Sequence, residues 1–375
     1  MTRKRKNVGL TVKMGPSLGS PLKNWLKLIS SNGFFVKLKY YPRLYLILLV
    51  STLGIPFRIF EHWKFRKKIE LTKIKESPIF ILGHWRSGTT HLHNLLTQDP
   101  QFGYITMLEA SFPKSFLITN FFKFFMNHFL PKKRPMDNME MGLNLPQEEE
   151  MAISNLIPFS FYNALYFPEK LVENYYKYIC LDHLSKKVLE KWQKAYVYLL
   201  RKTTLNVNGK QLILKNPANT ARISLLLKLF PNAKFIHIYR NPYVVFVSMK
   251  NFYETTLRQF MLQDVSMIEI EKFILVIYKE MMEKFFREKQ LIPKENLIEI
   301  KFEDLEKDPI TILKRIYSHL RLKGFNKVRN QFEKYLLLLK NYKKNIYQFT
   351  KDKINIVKEY WKFTINYWKY TSPIN

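Results

Sequence analysis

Residues 78–96 read Pro78-Ile79-Phe80-Ile81-Leu82, then Gly83-His84-Trp85-Arg86-Ser87-Gly88-Thr89-Thr90, then His91-Leu92-His93-Asn94-Leu95-Leu96. The first block is a short apolar run rich in β-formers, the second is a loop bounded by glycines, and the third is helix-compatible until Pro100 stops it. The pattern predicts a strand, a phosphate-cradling loop and a helix. The spacing Gly83-x-x-x-x-Gly88 is that of a P-loop, whose glycines let backbone N–H groups converge on an anion at the positive end of the following helix. Thr89 and Thr90 add hydroxyl donors in the first turn. A loop that handles ATP or GTP carries Lys directly after the second Gly, to reach the β- and γ-phosphates. That position is Thr89 here, and the only cation in the loop is Arg86. A bare Gly-x-x-x-x-Gly would fit an ordinary strand–turn–helix. The β-run, Arg86 and the two threonines turn the reading to an anion site, and not one for a Mg-nucleoside triphosphate.

Three further strands are predicted downstream. Gln211–Lys215 is followed by the turn Asn216-Pro217-Ala218-Asn219-Thr220 and a helical face of Ile223, Leu226, Leu227 and Phe230, ended by Pro231-Asn232. Lys234–Tyr239 is the next strand, and Leu297–Phe302 the last, leading into a helix from about Ile310 to Leu320. Strand–helix–strand with short joints makes right-handed parallel units. The fold class is therefore α/β, a P-loop-type parallel sheet flanked by helices. No long linker interrupts the chain, so the expected layout is a basic and apolar helical extension over 1–76, an α/β domain over 77–320, and a helical segment over 321–375 packed on that domain.

Lys234–Tyr239 runs into Arg240-Asn241-Pro242, with Ser248 seven residues past Asn241. Pro242 suits the first turn of a helix and Asn241 its cap, which puts Arg240 at the carboxyl edge of the sheet beside a helix N-terminus. A nucleoside-triphosphate hydrolase would want an Asp for Mg²⁺ after a central strand. A guanidinium takes a phosphate bidentately, and Ser248, two turns along, lies on the same helix face and adds a hydrogen bond. Two anion sites at one sheet edge fit a nucleotide with phosphates at both ends.

Trp85-Arg86-Ser87-Gly88-Thr89-Thr90 resembles the 5′-phosphosulfate loop of sulfotransferases, in which Lys or Arg precedes Ser-Gly-Thr-Thr. Arg240-Asn241-Pro242 with Ser248 is similar to the 3′-phosphate motif of that family, Arg-Asn-Pro-x-Asp-x-x-x-Ser, with Val244 where many members have Asp. Lys215-Asn216-Pro217 and Leu229–Phe235 look like the run that precedes this motif in many bacterial members. The resemblance covers roughly residues 77–320. It implies the donor 3′-phosphoadenosine 5′-phosphosulfate (PAPS), bound by Arg86, Ser87, Gly88, Thr89, Thr90, Arg240 and Ser248, and no metal; a hydroxyl of a glycan, a lipid or a tyrosine is equally consistent as acceptor. By its place in the loop, Arg86 is the residue expected to stabilise the leaving phosphate oxygen. The loop, a helix ending in Asp-Pro and then a Glu resemble the tyrosylprotein branch, where such a Glu is the base, which implies Glu109. The intervening spacing differs. His84 and Glu148-Glu149-Glu150 are reserve bases, and Asn219 stands where many relatives have His.

Net charge is +32, from 62 basic against 30 acidic residues, which attracts anions in general without choosing among them. The single cysteine, Cys180, excludes an intrachain disulfide and a Cys-based metal site, and fits a reducing, cytoplasmic compartment. His91 and His93 point apart on a helix, which disfavours a metal pair. The basic run Arg3–Lys6 has no apolar stretch close enough to make a secretory signal. Leu44–Phe57 falls short of the roughly 20 residues of a membrane helix, and is read as a buried or capping helix before an interfacial anchor. The aromatic cluster from Phe116 to Leu130, flanked by lysines, suits a core helix, a membrane interface or an apolar acceptor pocket. Glu148–Glu150 are either solvated charges at a helix N-terminus or site residues. Two rivals remain: a P-loop kinase, disfavoured by the missing Lys and Asp, and a non-enzymatic basic protein binding nucleic acid or an acidic membrane. The latter explains the charge but neither loop, so no nucleic-acid partner is expected, while peripheral membrane contact stays open.

Overall fold

A computed structural model describes residues 15–119, 123, 133, 139–181, 184–341, 345 and 347–374. The basic run at 3–6 and most of the aromatic cluster beyond residue 119 lie outside the described residues.

Five parallel strands form one sheet: β1 Ile79–Leu82, β2 Phe102–Gly103, β3 Gln211–Lys215, β4 Lys234–Tyr239 and β5 Leu297–Lys301, in the order β2-β3-β1-β4-β5. β1 is central and buried along its whole length, as a continuous Ile-Phe-Ile-Leu run requires when helices cover both faces. Ile81 lies opposite Lys215 of β3, and Leu82 opposite His237 of β4. The carboxyl ends of β3, β1 and β4 therefore sit side by side. The chain crosses from one side of β1 to the other between β3 and β4, which makes this edge the crevice where ligands bind in open parallel sheets. The two-residue β2 was not expected, being too short to carry a pattern. Phe302, expected as the end of the last strand, instead starts a helix.

The principal helices are α1 Leu22–Ser31, α2 Tyr41–Leu53, α3 Ile55–Leu71, α4 Thr89–Leu96, α5 Met107–Ser111, α6 Glu149–Leu156, α7 Lys186–Asn206, α8 Ile223–Leu229, α9 Pro242–Phe252, α10 Met267–Glu288, α11 Pro309–His319, α12 Phe325–Leu338 and α13 Lys351–Tyr367. One sheet face buries Ile79, Ile81, Ile213, Ile236 and Ile300 under Leu92 and Leu96 of α4, Leu313 and Ile316 of α11 and Phe332 of α12. The other buries Phe80, Leu82, Leu214 and Phe235 under Trp192 and Leu199 of α7 and Ile223 of α8. A third cluster joins α9, α10 and α13, where Trp361 stacks on Tyr278 with ring centroids 3.8 Å apart.

Residues 44–57, expected as a buried or capping helix, cover the protein with one side only: Ile47 and Ser51 are buried, with Leu44 and Leu48 packed against the Trp25 cluster. Gly54 keeps a helical backbone between α2 and α3, so the helical path continues from Leu38 to Leu71, and most of its apolar side chains face outward.

Candidate functional site

The turn after β1 is fixed by close packing at its two glycines. Gly83 has φ +142°, and a Cβ there would lie 2.4 Å from the Ile238 carbonyl oxygen of the neighbouring strand. Gly88 has φ +93°, and a Cβ would lie 2.1 Å from the Phe302 ring. Between them Arg86 adopts φ 70°, a left-handed conformation that costs a non-glycine residue of the order of 1 kcal/mol or more. The Gly83 N–H donates to Thr220 Oγ1 at 2.8 Å and the Ser87 N–H to the His84 carbonyl at 3.1 Å. Gly88 caps α4, so Thr89 and Thr90 form the first turn, where backbone N–H groups lack intrahelical partners.

Two cations meet at this edge. Arg86 Nε donates to Ser248 Oγ at 2.8 Å, the Ser248 and Tyr347 hydroxyls hydrogen-bond at 2.8 Å, and Arg240 Nη1 donates to the Arg86 carbonyl at 3.2 Å. Asn241 accepts from the Tyr243 N–H at 3.0 Å, capping α9, and its own N–H donates to Glu303. Arg240 lies over the Phe302 ring at 4.3 Å. Burial, and then the Arg86 guanidinium among its neighbours, lowers the pKa of Arg240. Burial would raise the Tyr347 phenol, but Ser248, Asn345 and the Arg86 guanidinium more than offset it and hold its pKa below the ordinary value. Two guanidinium groups held in one cluster at a helix N-terminus fit an anionic ligand, whose charge relieves their repulsion.

Glu109, expected as a base, occupies a different setting. Its Oε2 accepts from the Thr106 N–H at 2.7 Å and its Oε1 from Asn206 at 2.8 Å, while its own N–H donates to Thr106 Oγ1. This is a reciprocal capping box at the start of α5, and it engages both carboxylate oxygens of a buried side chain. Burial raises its pKa.

The acidic triplet does open a helix, α6, but it is buried there instead of solvated. Glu150 is paired with Arg222 at 2.7 Å and accepts from Ser160 and Asn216. Burial would raise its pKa, and Arg222 reverses that. Glu149 accepts from Tyr196 at 3.0 Å and Asn219 at 2.9 Å through one oxygen, while its other oxygen has no hydrogen-bond partner; burial pushes its pKa up to about 7. Glu148 is ion-paired to Lys215 at the end of β3 and accepts from the Tyr162 hydroxyl. That hydroxyl in turn accepts from the Trp85 indole of the loop at 3.5 Å. Burial and the Glu148 carboxylate hold Tyr162 protonated.

His84 is buried against Trp85 and Tyr278, with Nδ1 at 2.9 Å from the Trp85 carbonyl, and burial lowers its pKa to about 4. The ring is neutral at pH 7 and turned into the core. Among the described residues, no three His, Cys, Asp or Glu side chains are placed to hold a metal ion.

The structure thus brings Arg86, Ser87, Gly88, Thr89, Thr90, Arg240 and Ser248 to one sheet edge and leaves Glu109 in a helix cap. Sequence reasoning missed Tyr347, Phe302 and Tyr162. Only Phe302, the last residue of a predicted strand, had a positional signal.

A family model described as the sulfotransferase family matches residues 78–327. The chain is 32% identical over 356 residues to the omega-hydroxy-beta-dihydromenaquinone-9 sulfotransferase Stf3 of Mycobacterium bovis, covering 94% of this chain and 90% of that one. The Stf3 of Mycobacterium tuberculosis matches to the same extent. In fold, the chain is similar to sulfotransferase STF1 from Mycobacterium tuberculosis, with a TM-score of 0.64 at 16% identity, covering 94% of this chain and 93% of that one. Sulfotransferase STF9 from Mycobacterium avium gives the same score and identity, with 93% and 96% covered.

Proposed function

The chain belongs to the sulfotransferase family, and from that membership we propose that it carries the sulfuryl group of PAPS to a hydroxyl of an apolar lipid acceptor. The observation that carries the donor assignment is the Arg86–Ser248–Arg240 cluster at the end of β1 and β4. Arg240 and Ser248 are assigned to the 3′-phosphate. Arg86 and the first turn of α4 are assigned to the 5′-phosphosulfate. A 3′-phosphate would accept from the Ser248 hydroxyl, which can donate to it while its oxygen still accepts from Arg86 Nε.

The acceptor oxygen forms a bond to sulfur as the bridging S–O bond breaks; the electron pair stays on the leaving 5′-phosphate and the acceptor proton goes to a base. Arg86 offsets charge that grows on the leaving oxygen. We assign the proton to Glu148 in place of Glu109. Both carboxylates have both oxygens engaged, and position favours Glu148: it stands at the sheet edge, paired with Lys215 and with the tyrosine that meets Trp85 of the loop, whereas Glu109 is tied into the α5 cap by Thr106 and Asn206. The lipid class of acceptor is supported by the name of the Stf3 relatives, which act on a hydroxylated menaquinone derivative.

The test is incubation of the purified protein with PAPS and a hydroxylated menaquinone, followed by mass spectrometry. Sulfated lipid and adenosine 3′,5′-bisphosphate in equal amounts are expected. Release of adenosine 3′,5′-bisphosphate with no sulfated lipid would remove the acceptor assignment, and no consumption of PAPS with any alcohol would remove the donor assignment as well.

A further inference from the structure

We propose that the outer face of α2 and α3 is a membrane-binding surface that lies in the plane of an anionic bilayer. The inference stands on this surface alone and does not depend on the identity of the donor.

Tyr41, Tyr45, Leu49 and Leu53 recur every fourth residue along α2, and Ile59, Phe60 and Trp63 continue the same side of α3. All are exposed, Tyr45 by 69%, Leu53 by 62%, Ile59 by 65% and Trp63 by 78%. From Tyr41 to Trp63 this strip is about 33 Å long at 1.5 Å per residue. Water-soluble surfaces seldom carry contiguous apolar area on that scale without a partner.

The opposite side of the same helices is fastened to the protein at both ends and in the middle. Tyr40, just before α2, donates to Asp264 at 2.6 Å, and Arg43 donates to the Met261 carbonyl at 2.6 Å. Ile47 packs with Trp25, and Ser51 donates to the Ser20 carbonyl at 2.7 Å. Farther along, Glu61 is buried in an ion pair with Lys202 and accepts from the Leu117 N–H at 2.6 Å, and Ile69 is buried as well. The stretch Leu38–Leu71 is long and apolar enough to cross a membrane by length and composition, with 22% of its apolar window buried. A crossing helix, however, needs lipid or apolar protein on every side. One laid along the protein and held by a buried carboxylate offers lipid a single face, so it rests in the interface.

Charge selects the occupant. Glu61 is the only carboxylate from Tyr41 to Trp63, and it points inward. Exposed Lys64, Lys67 and Lys68 follow the strip, whereas Lys39 before it is paired with Asp264. Lysines at the end of an apolar and aromatic lane match the acidic headgroups above a hydrocarbon layer. The same lysines, on a chain of net charge +32, oppose pairing with a second copy.

The surface also lies close to the catalytic edge. Ser51 bonds Ser20, and Ser20 Oγ is 3.4 Å from the Ser154 carbonyl of α6, the helix that Glu148 caps. Ser154 is six residues from Glu148, roughly 9 Å along the helix.

The experiment is co-sedimentation of the full-length protein with vesicles of phosphatidylcholine alone and of phosphatidylcholine mixed with phosphatidylglycerol, at low and high salt. The protein is expected to partition to the mixed vesicles, and less so at high salt. Substituting Leu49, Leu53, Ile59 and Trp63 together by Ser should weaken partitioning by at least ~10-fold, with thermal unfolding and adenosine 3′,5′-bisphosphate binding unchanged, since these side chains face solvent. A readout that needs no multiple variant is tryptophan quenching by lipids with brominated chains, which Trp63→Phe should largely abolish. The proposal is overturned if the protein stays in solution with the mixed vesicles at low salt. It is equally overturned if Trp63→Phe leaves the quenching intact, or if sedimentation velocity shows a dimer that the fourfold variant dissociates.

Discussion

Arg86 Nε and Ser248 Oγ are hydrogen-bonded at 2.8 Å across a separation of 162 residues, tying the loop after β1 to the helix after β4. The contact makes one unit of the two elements proposed to hold the donor's phosphates, since Arg240 also bonds the Arg86 carbonyl.

The two cations are predicted to fail differently. Arg240 meets a phosphate whose charge is the same in ground and transition states, so Arg240→Ala should raise the KM for donor with little change in kcat. Arg86 meets an oxygen whose charge grows as the S–O bond breaks, so Arg86→Ala should lower kcat by ~3 kcal/mol in barrier terms. Arg86→Lys should keep much of the activity, because a point charge suffices there. Arg240→Lys should do worse, because a bidentate fork is lost. Steady-state kinetics on the four variants decides; an equal loss of donor affinity in both alanine variants with kcat intact would withdraw the catalytic role of Arg86.

Glu148→Gln should lower kcat by ~10²-fold or more, as for loss of a general base, while calorimetry shows donor binding preserved. Glu109→Ala should instead lower stability by about 1 kcal/mol through the lost capping box, with kcat close to that of the parent. The reverse pattern would return the base to Glu109.

Much of the sheet, and the meeting of Arg86, Arg240 and Ser248 at its edge, was legible because their signals are local. β1, β3 and β4 are short apolar runs that end in Gly83, Asn216 and Arg240, and a Gly at positive φ or a Pro at a helix start carries its meaning within a few residues. What was not legible depends on distant partners. Nothing near Tyr347 says that its hydroxyl meets Ser248, and the triplet Glu148–Glu150 reads the same whether its partners are water or Lys215, Asn219 and Arg222. How much of Leu44–Phe57 faces outward was hidden for a related reason: hydrophobicity gives the same signal for a core and for an outward face.

Glu149 should make stability fall with rising pH. Its folded pKa of about 7 lies above the ordinary 4.5 because burial disfavours the charged form. The folded state therefore binds the proton more tightly than the unfolded one. The resulting stability is fully present below about pH 4.5 and is lost as pH rises through 7, a change of the order of 3 kcal/mol at most. Urea unfolding at about pH 5 and about pH 8 measures it, and Glu149→Gln, which can still accept from Tyr196 and Asn219, should flatten the difference. An unchanged slope in that variant would assign the pH dependence to other groups.

The most direct test of the two-anion site is calorimetric titration with adenosine 3′,5′-bisphosphate, ADP and ATP, each with Mg²⁺ and with EDTA. The assignment of Arg240 and Ser248 to a 3′-phosphate predicts that adenosine 3′,5′-bisphosphate binds more tightly than either of the others, and equally well in EDTA. ATP binding at equal affinity, or a requirement for Mg²⁺, would contradict it and make the site that of a nucleoside triphosphate.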